Sequence, residues 1–155
     1  MDWPSNTEQR ASALLRNVFG HTSWRSGQDE VIVSLLRSYN VLYNAPTSLG
    51  KSLPFQLCSL LMPGVSFICY PLVSLIQDQR AKLESLKIST GIIAPSLDPI
   101  QSTITLQALT NYSSSSSIKI VLTTPESLLS FKTKRLLQLL HNQSRLSFLH
   151  WTRLI

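Results

Sequence analysis

Gly50-Lys51-Ser52 ends a loop that follows the apolar run Val41–Ala45 and opens onto the largely apolar stretch Leu53–Leu57. Strand, loop and helix in that order can hold a phosphate, because backbone N–H groups and the helix N-terminus point at anionic oxygens. In such a loop Lys51 is the catalytic cation that reaches the β- and γ-phosphates, and the Ser52 hydroxyl ligates Mg²⁺. Thr47, Ser48 and Gly50 would line the same cradle. Two features depart from the usual pattern. Ala45 stands at the first loop position, normally a glycine, and Ser48-Leu49 replaces residues small enough for backbone to approach phosphate closely. On this motif alone, a chance Gly-Lys-Ser after a strand stays open.

The elements that would position these residues follow from periodicity. Ser5 and Glu8 have capping-box spacing; Ala11, Leu14, Leu15 and Val18 then share a helical face that Gly20 can end. Val31, Ile32, Leu35 and Leu36 repeat the pattern over 26–39. Strands are predicted at Val41–Ala45, Val65–Pro71, Gly91–Pro95, Ile118–Pro125 and Leu146–Trp151, with helices at 51–62, 72–86 and 134–141. Strands alternating with helices predict an α/β fold: a parallel sheet flanked by helices, built from right-handed βαβ units. The serine run 113–117 reads as a loop, and no internal repeat is present. The expected organisation is N-terminal helices over 1–40, a phosphate-loop domain over 41–150 and a short tail over 151–155.

Composition bounds the partners. Of 155 residues, 43% are hydrophobic and 14% charged, which is globular rather than disordered. A net charge of +6 suits a polyanion, nucleic acid or nucleotide, as well as it suits a plain basic surface. Cys58 and Cys69 lie inside apolar runs without zinc-ligand spacing and read as buried thiols of an intracellular protein. Ser52–Gln77 carries no charge, but Pro63-Gly64 and Pro71 interrupt it, so no membrane span is expected. The N-terminus lacks a signal-peptide pattern.

Four blocks in one order, "FGHTSWRSGQDEVI", "APTSLGKSLPFQL", "CYPLVSLIQDQ" and "IVLTTPESL", resemble the RecQ family of superfamily 2 DNA helicases over roughly residues 14–148. The resemblance implies a P-loop RecA-like domain using ATP and Mg²⁺, present here only in part. It implies an adenine-recognition motif containing Phe19, Gly20, Trp24, Arg25 and Gln28, with the Gln28 amide offering a donor and an acceptor to the adenine edge. It implies single-strand DNA contacts from Ser74 and Gln77, and from Thr124 with Pro125, where Pro125 would also open a short helix. The implied activity is ATP-driven 3′–5′ DNA unwinding in repair and recombination, in the nucleus of a eukaryote or the cytoplasm otherwise.

The family's Asp-Glu-Ala-His box should follow Leu146–His150, and the second RecA-like domain should come later. Trp151-Thr152-Arg153-Leu154-Ile155 stands there instead, and no Asp or Glu follows Glu126. Asp78 lies inside a predicted helix, not at a strand end, and does not replace the acid. A coding sequence for the box, read one frame over, gives Trp-Thr-Arg-Leu-Ile; a frame slip, ordinary divergence and an intron-derived tail stay open. The DNA across Leu149–Ile155 decides between them. The expectation is a helicase fragment that retains ATP or single-strand DNA binding at best and does not unwind. The alternatives are a non-catalytic binding product, a fragment that does not fold stably because a sheet edge is left bare, and an RNA helicase of the same superfamily.

Overall fold

The computed structural model describes residues 2–46, 50–111 and 117–152. Thr47, Ser48, Leu49, most of the serine run and 153–155 lie outside the described residues. The chain forms two compact units, Met1–Met62 and Pro63–Ile155.

The first unit holds three helices: α1 (Thr7–Asn17), α2 (Gln28–Leu36) and α3 (Ser52–Leu61). α3 contacts both of the others. It buries Leu53, Phe55, Leu57, Cys58 and Leu61 together with Pro54, Gln56 and Ser59, as expected of an uncharged helix that is buried all round. The Ser5–Glu8 capping box does not form. Asn6, at φ 63°, is the N-cap and makes no side-chain bond. The Thr7 N–H is instead satisfied by the Pro4 carbonyl at 3.1 Å, and asparagine tolerates the left-handed conformation better than most residues.

The strand expected at Val41–Ala45 is absent. Residues 41–46 are irregular and have no ladder partner among the described residues. A parallel strand hides both faces and needs a neighbour, whereas Leu42 is 86% exposed. The β preference of Val-Leu-Tyr depends on such packing, so without a partner it does not make a strand. Tyr43 packs on Phe55 of α3, with ring centroids 6.4 Å apart.

The second unit is α/β. Its strands are β1 (Val65–Cys69), β2 (Thr90–Ile93), β3 (Ile120–Thr123) and β4 (Leu146–Trp151), all parallel, in the order β2-β3-β1-β4. α4 (Val73–Ser85) links β1 to β2, and α5 (Pro99–Thr110) links β2 to β3. α6 (Pro125–Leu128) and α7 (Phe131–Asn142) link β3 to β4. Val65, Phe67 and Cys69 alternate along β1 and join Ile93 and Val121 in one core with Leu109, Leu128, Leu136 and Leu140 of the helices. β1 and β3 are central and wholly buried, while edge strand β4 is half-buried, with Leu149 and Trp151 exposed. Trp151 still pairs with Cys69, and the Thr152 N–H donates to the Cys69 carbonyl at 3.0 Å.

Helix α5 escaped the periodicity reading because it guards the β2 edge with polar side chains. Thr105 Oγ1 accepts from the Ile92 N–H at 3.2 Å and Ser102 Oγ from the Ala94 N–H at 2.9 Å. Those edge donors would otherwise invite pairing with another chain. The close approach needs Gly91, where an added Cβ would meet Thr105 Cγ2 at 2.6 Å. Meanwhile Ile100 and Ile104 face outward, so α5 shows no clean apolar stripe. Among the described residues no helix is long and apolar enough to cross a membrane.

Candidate nucleotide site

Gln28 lies at the first position of α2 and is 1% exposed. Its Oε1 accepts from the Arg25 N–H at 2.9 Å, and its Nε2 donates to the Gly50 carbonyl at 3.1 Å. The Gln28 N–H closes the turn on the Arg25 carbonyl at 3.1 Å. Gly27 precedes it at φ 82°, a conformation that turns the chain into α2 without a Cβ penalty. A buried amide is costly unless its donor and acceptor are both used, and here they tie the turn before α2 to the loop before α3. The family resemblance implies a base-reading role for Gln28; in the fold its amide is buried and spends Oε1 and Nε2 on this bridge.

Gly50 also has positive φ, 64°. Its carbonyl accepts from the Leu53 N–H at 3.3 Å as well as from Gln28. An added Cβ would come 3.2 Å from Gln28 Nε2 and 3.9 Å from Arg25 Nη1, so the Arg25 guanidinium lies beside the loop. Lys51 is the N-cap of α3 and Ser52 its first residue. The structure therefore brings Arg25, Gln28, Gly50, Lys51 and Ser52 together around one helix N-terminus, whose leading N–H groups favour an anion. Thr47 and Ser48, expected in the same cradle, lie outside the described residues.

Trp24 is half-buried in an otherwise exposed stretch, and its ring lies 5.9 Å from that of Trp3. No motif marked Trp3; the only sequence signal was a large aromatic in a polar N-terminal segment.

For Mg²⁺, this unit offers the Ser52 hydroxyl. Among the described residues no group of three His, Cys, Asp or Glu could hold a metal. That donor set fits an ion carried mainly by a nucleotide's own phosphates and waters.

The residues expected on a DNA path belong to the second unit. Ser74 and Gln77 are exposed on the first turns of α4. Asp78 is exposed on the same helix, as expected for a residue that is not a strand-end metal ligand. Thr124 is the N-cap of α6, with Pro125 opening the helix as expected. However, Thr124 is 3% exposed and its hydroxyl is engaged: Oγ1 accepts from the Ser127 N–H at 3.3 Å and donates to Ser127 Oγ at 2.9 Å. Its visible work is to hold the helix start.

The two thiols are free and buried. Burial pushes Cys58 up to about 12; burial, and then the charge of Glu126, push Cys69 up to about 11. Neither is a nucleophile at neutral pH. Burial in β4 lowers His150 to about 4.

The DEAD/DEAH box helicase family matches residues 25–149. The chain is 35% identical to the Arabidopsis thaliana "ATP-dependent DNA helicase Q-like 4B" over 94% of its own length and 12% of the relative's. It is 35% identical to the Bacillus subtilis "ATP-dependent DNA helicase RecQ" over 83% of its length and 21% of the relative's. With the Haemophilus influenzae "ATP-dependent DNA helicase RecQ" it shares 34% identity over 75% of its length and 18% of the relative's. The chain thus spans a fifth or less of the length of most of the curated relatives it matches.

Proposed function

This chain belongs to the DEAD/DEAH box helicases, within the RecQ family, and from that premise we propose that its first unit binds ATP and its second unit holds single-stranded DNA. The observation that carries the reading is the Gln28 bridge to Gly50 at the N-terminus of α3. Adenine is read at the Arg25–Gln28 turn, which the buried Gln28 amide holds in place, and is flanked by Arg25 and Trp24. The phosphates sit at the start of α3, where Lys51 and the helix N-terminus meet negative charge. Thr47 and Ser48 complete the loop. Ser52 lends its hydroxyl to Mg²⁺, which when bound neutralises phosphate charge. Ser74 and Gln77 contact a DNA backbone from α4, with Thr124 and Pro125 on the same track. In a complete enzyme this would serve 3′–5′ unwinding in repair and recombination, in a eukaryotic nucleus or otherwise in the cytoplasm.

A second reading has its own support: this polypeptide alone binds without catalysis. Hydrolysis needs a carboxylate for the metal and a group that orients the attacking water. Directly after β4, where such a carboxylate is expected, the sequence reads Thr152-Arg153. Filter binding with labelled ATP and labelled single-stranded DNA, beside a hydrolysis assay with and without DNA, tests both readings. Saturable binding without turnover supports them. DNA-stimulated hydrolysis abolished by Lys51→Ala would overturn the second, and absence of any nucleotide binding would overturn the first. Equal preference for single-stranded RNA would favour an RNA helicase of the same superfamily.

A further inference from the structure

We infer that Trp3 is a positioning residue for the nucleotide site, acting through Trp24 on the Arg25–Gln28 turn; the role in nucleotide selection rests on the adenine reading above. Trp3 lies before the matched region 25–149 and before the residues that carry the family resemblance.

The segment it acts on has no regular secondary structure. Between α1 and α2 the chain has no helix or strand, and left-handed glycines stand in it at Gly20, φ 72°, and Gly27, φ 82°. From His21 to Ser26 every residue is exposed except Trp24. The backbone is tied by the His21 N–H to the Leu15 carbonyl at 3.0 Å; among side chains Trp24 is the half-buried anchor, and Trp3 supplies its aromatic partner, with centroids 5.9 Å apart and planes inclined by 32°. Tilted aromatic pairs at that separation are attractive beyond their buried area.

Trp3 is itself held in place. The Asp2 carbonyl accepts from Arg37 Nη2. The Pro4 carbonyl accepts from the Thr7 N–H at 3.1 Å and from Thr7 Oγ1 at 2.5 Å. The N-terminal segment is thus pinned on both sides of the ring. From Trp24 the connection runs to the adjacent Arg25 N–H, to Gln28 Oε1 at 2.9 Å, and from Gln28 Nε2 to Gly50 at 3.1 Å. A ring fixed at one end sets the geometry of the amide at the other. Trp3 touches no nucleotide; it fixes the turn that would read one.

The test uses the full chain labelled with ¹⁵N, as parent, Trp3→Ala, Trp3→Leu and Trp3→Phe. Without nucleotide, Trp3→Ala and Trp3→Leu shift or broaden the Arg25 backbone and Gln28 side-chain amide signals, while α3 amides keep their dispersion. Trp3→Phe, which keeps a ring, restores the parent signals. With fluorescent ATP and GTP analogues, Trp3→Ala and Trp3→Leu weaken ATP about three- to tenfold and leave GTP unchanged, the scale of one aromatic pair. Arg25 and Gln28 signals that stay put in both variants overturn the inference. So does a parent that prefers ATP together with variants of unaltered preference. If the signals move but the parent binds no nucleotide, the positioning role stands and the adenine reading falls. Should Trp3→Ala not fold, the Leu and Phe pair carries the comparison.

Discussion

Gln28 and Gly50, 22 residues apart in sequence, are joined by a 3.1 Å hydrogen bond from a side-chain amide to a backbone carbonyl. Gln28 is 1% exposed, and removing its amide breaks the bond from the Arg25 N–H and leaves the Gly50 carbonyl with the Leu53 N–H alone. Gln28→Ala should cost about 1–3 kcal/mol in urea unfolding, two lost hydrogen bonds at about 0.5–1.5 kcal/mol each. Gln28→Glu should cost more at neutral pH, because the amide that donates to the Gly50 carbonyl becomes a carboxylate on a side chain only 1% exposed. A loss below about 0.5 kcal/mol in both variants would mean that the bridge holds nothing.

Two left-handed glycines separate backbone strain from site geometry. Gly20 at φ 72° has nothing within 4 Å of an added Cβ, whereas at Gly50 that Cβ meets Gln28 Nε2 at 3.2 Å. Both alanine variants should pay the left-handed penalty of about 1–2 kcal/mol. Only Gly50→Ala should also disturb Gln28. Denaturant melts should therefore rank Gly50→Ala below Gly20→Ala, and nucleotide binding should fall further in the first.

On the second unit, capping and DNA contact make different predictions. Thr124→Val keeps shape but loses the bond to the Ser127 N–H, and should lower stability by about 1 kcal/mol. Ser74 and Gln77 are exposed, so a double alanine variant should melt within about 0.5 kcal/mol of the parent. If the DNA path is as proposed, that same double variant should weaken binding to labelled single-stranded DNA, which a salt series would separate from bulk charge. Unchanged DNA affinity would remove α4 from the path.

His150 makes stability depend on pH. Burial lowers it to about 4 in the folded chain, against about 6.5 when unfolded. The unfolded chain therefore binds more protons between those values. The stabilising contribution is complete above about pH 6.5 and is lost as pH falls toward 4. Between pH 6.5 and 5, above most carboxylate titrations, the loss should reach about 1–2 kcal/mol. His150→Gln should flatten that slope in urea melts taken at half-unit pH steps; an identical slope would assign the dependence elsewhere.

The sheet was largely legible from sequence, because four strands are short apolar runs bounded by Pro, Gly or polar residues. The failures have definite causes. Val41–Ala45 has strand composition but no ladder partner among the described residues. Helix α5 hides its start signal, Asp98-Pro99, behind a broken stripe; the Asp98 carboxylate does cap it, accepting from the Gln101 N–H at 2.9 Å. At the site, residue types and spacing picked out Gly50, Lys51 and Ser52, and the family resemblance added Gln28. They could not show that Gln28 grips Gly50, nor that Trp3 packs on Trp24, since both pairings join distant parts of the chain. Likewise, the Thr124 hydroxyl looked available in sequence, and only the fold shows it engaged at a helix start.

The central claim is that Gln28, Gly50, Lys51 and Ser52 form one nucleotide site, and titration of the purified chain with ATP and Mg²⁺ by calorimetry tests it most directly. Saturable one-site binding is expected, severely weakened by Lys51→Ala and weakened by Gln28→Ala, with each variant shown to be folded at the working temperature. No heat of binding from the folded parent, or equal affinity in parent and Lys51→Ala, would contradict the claim.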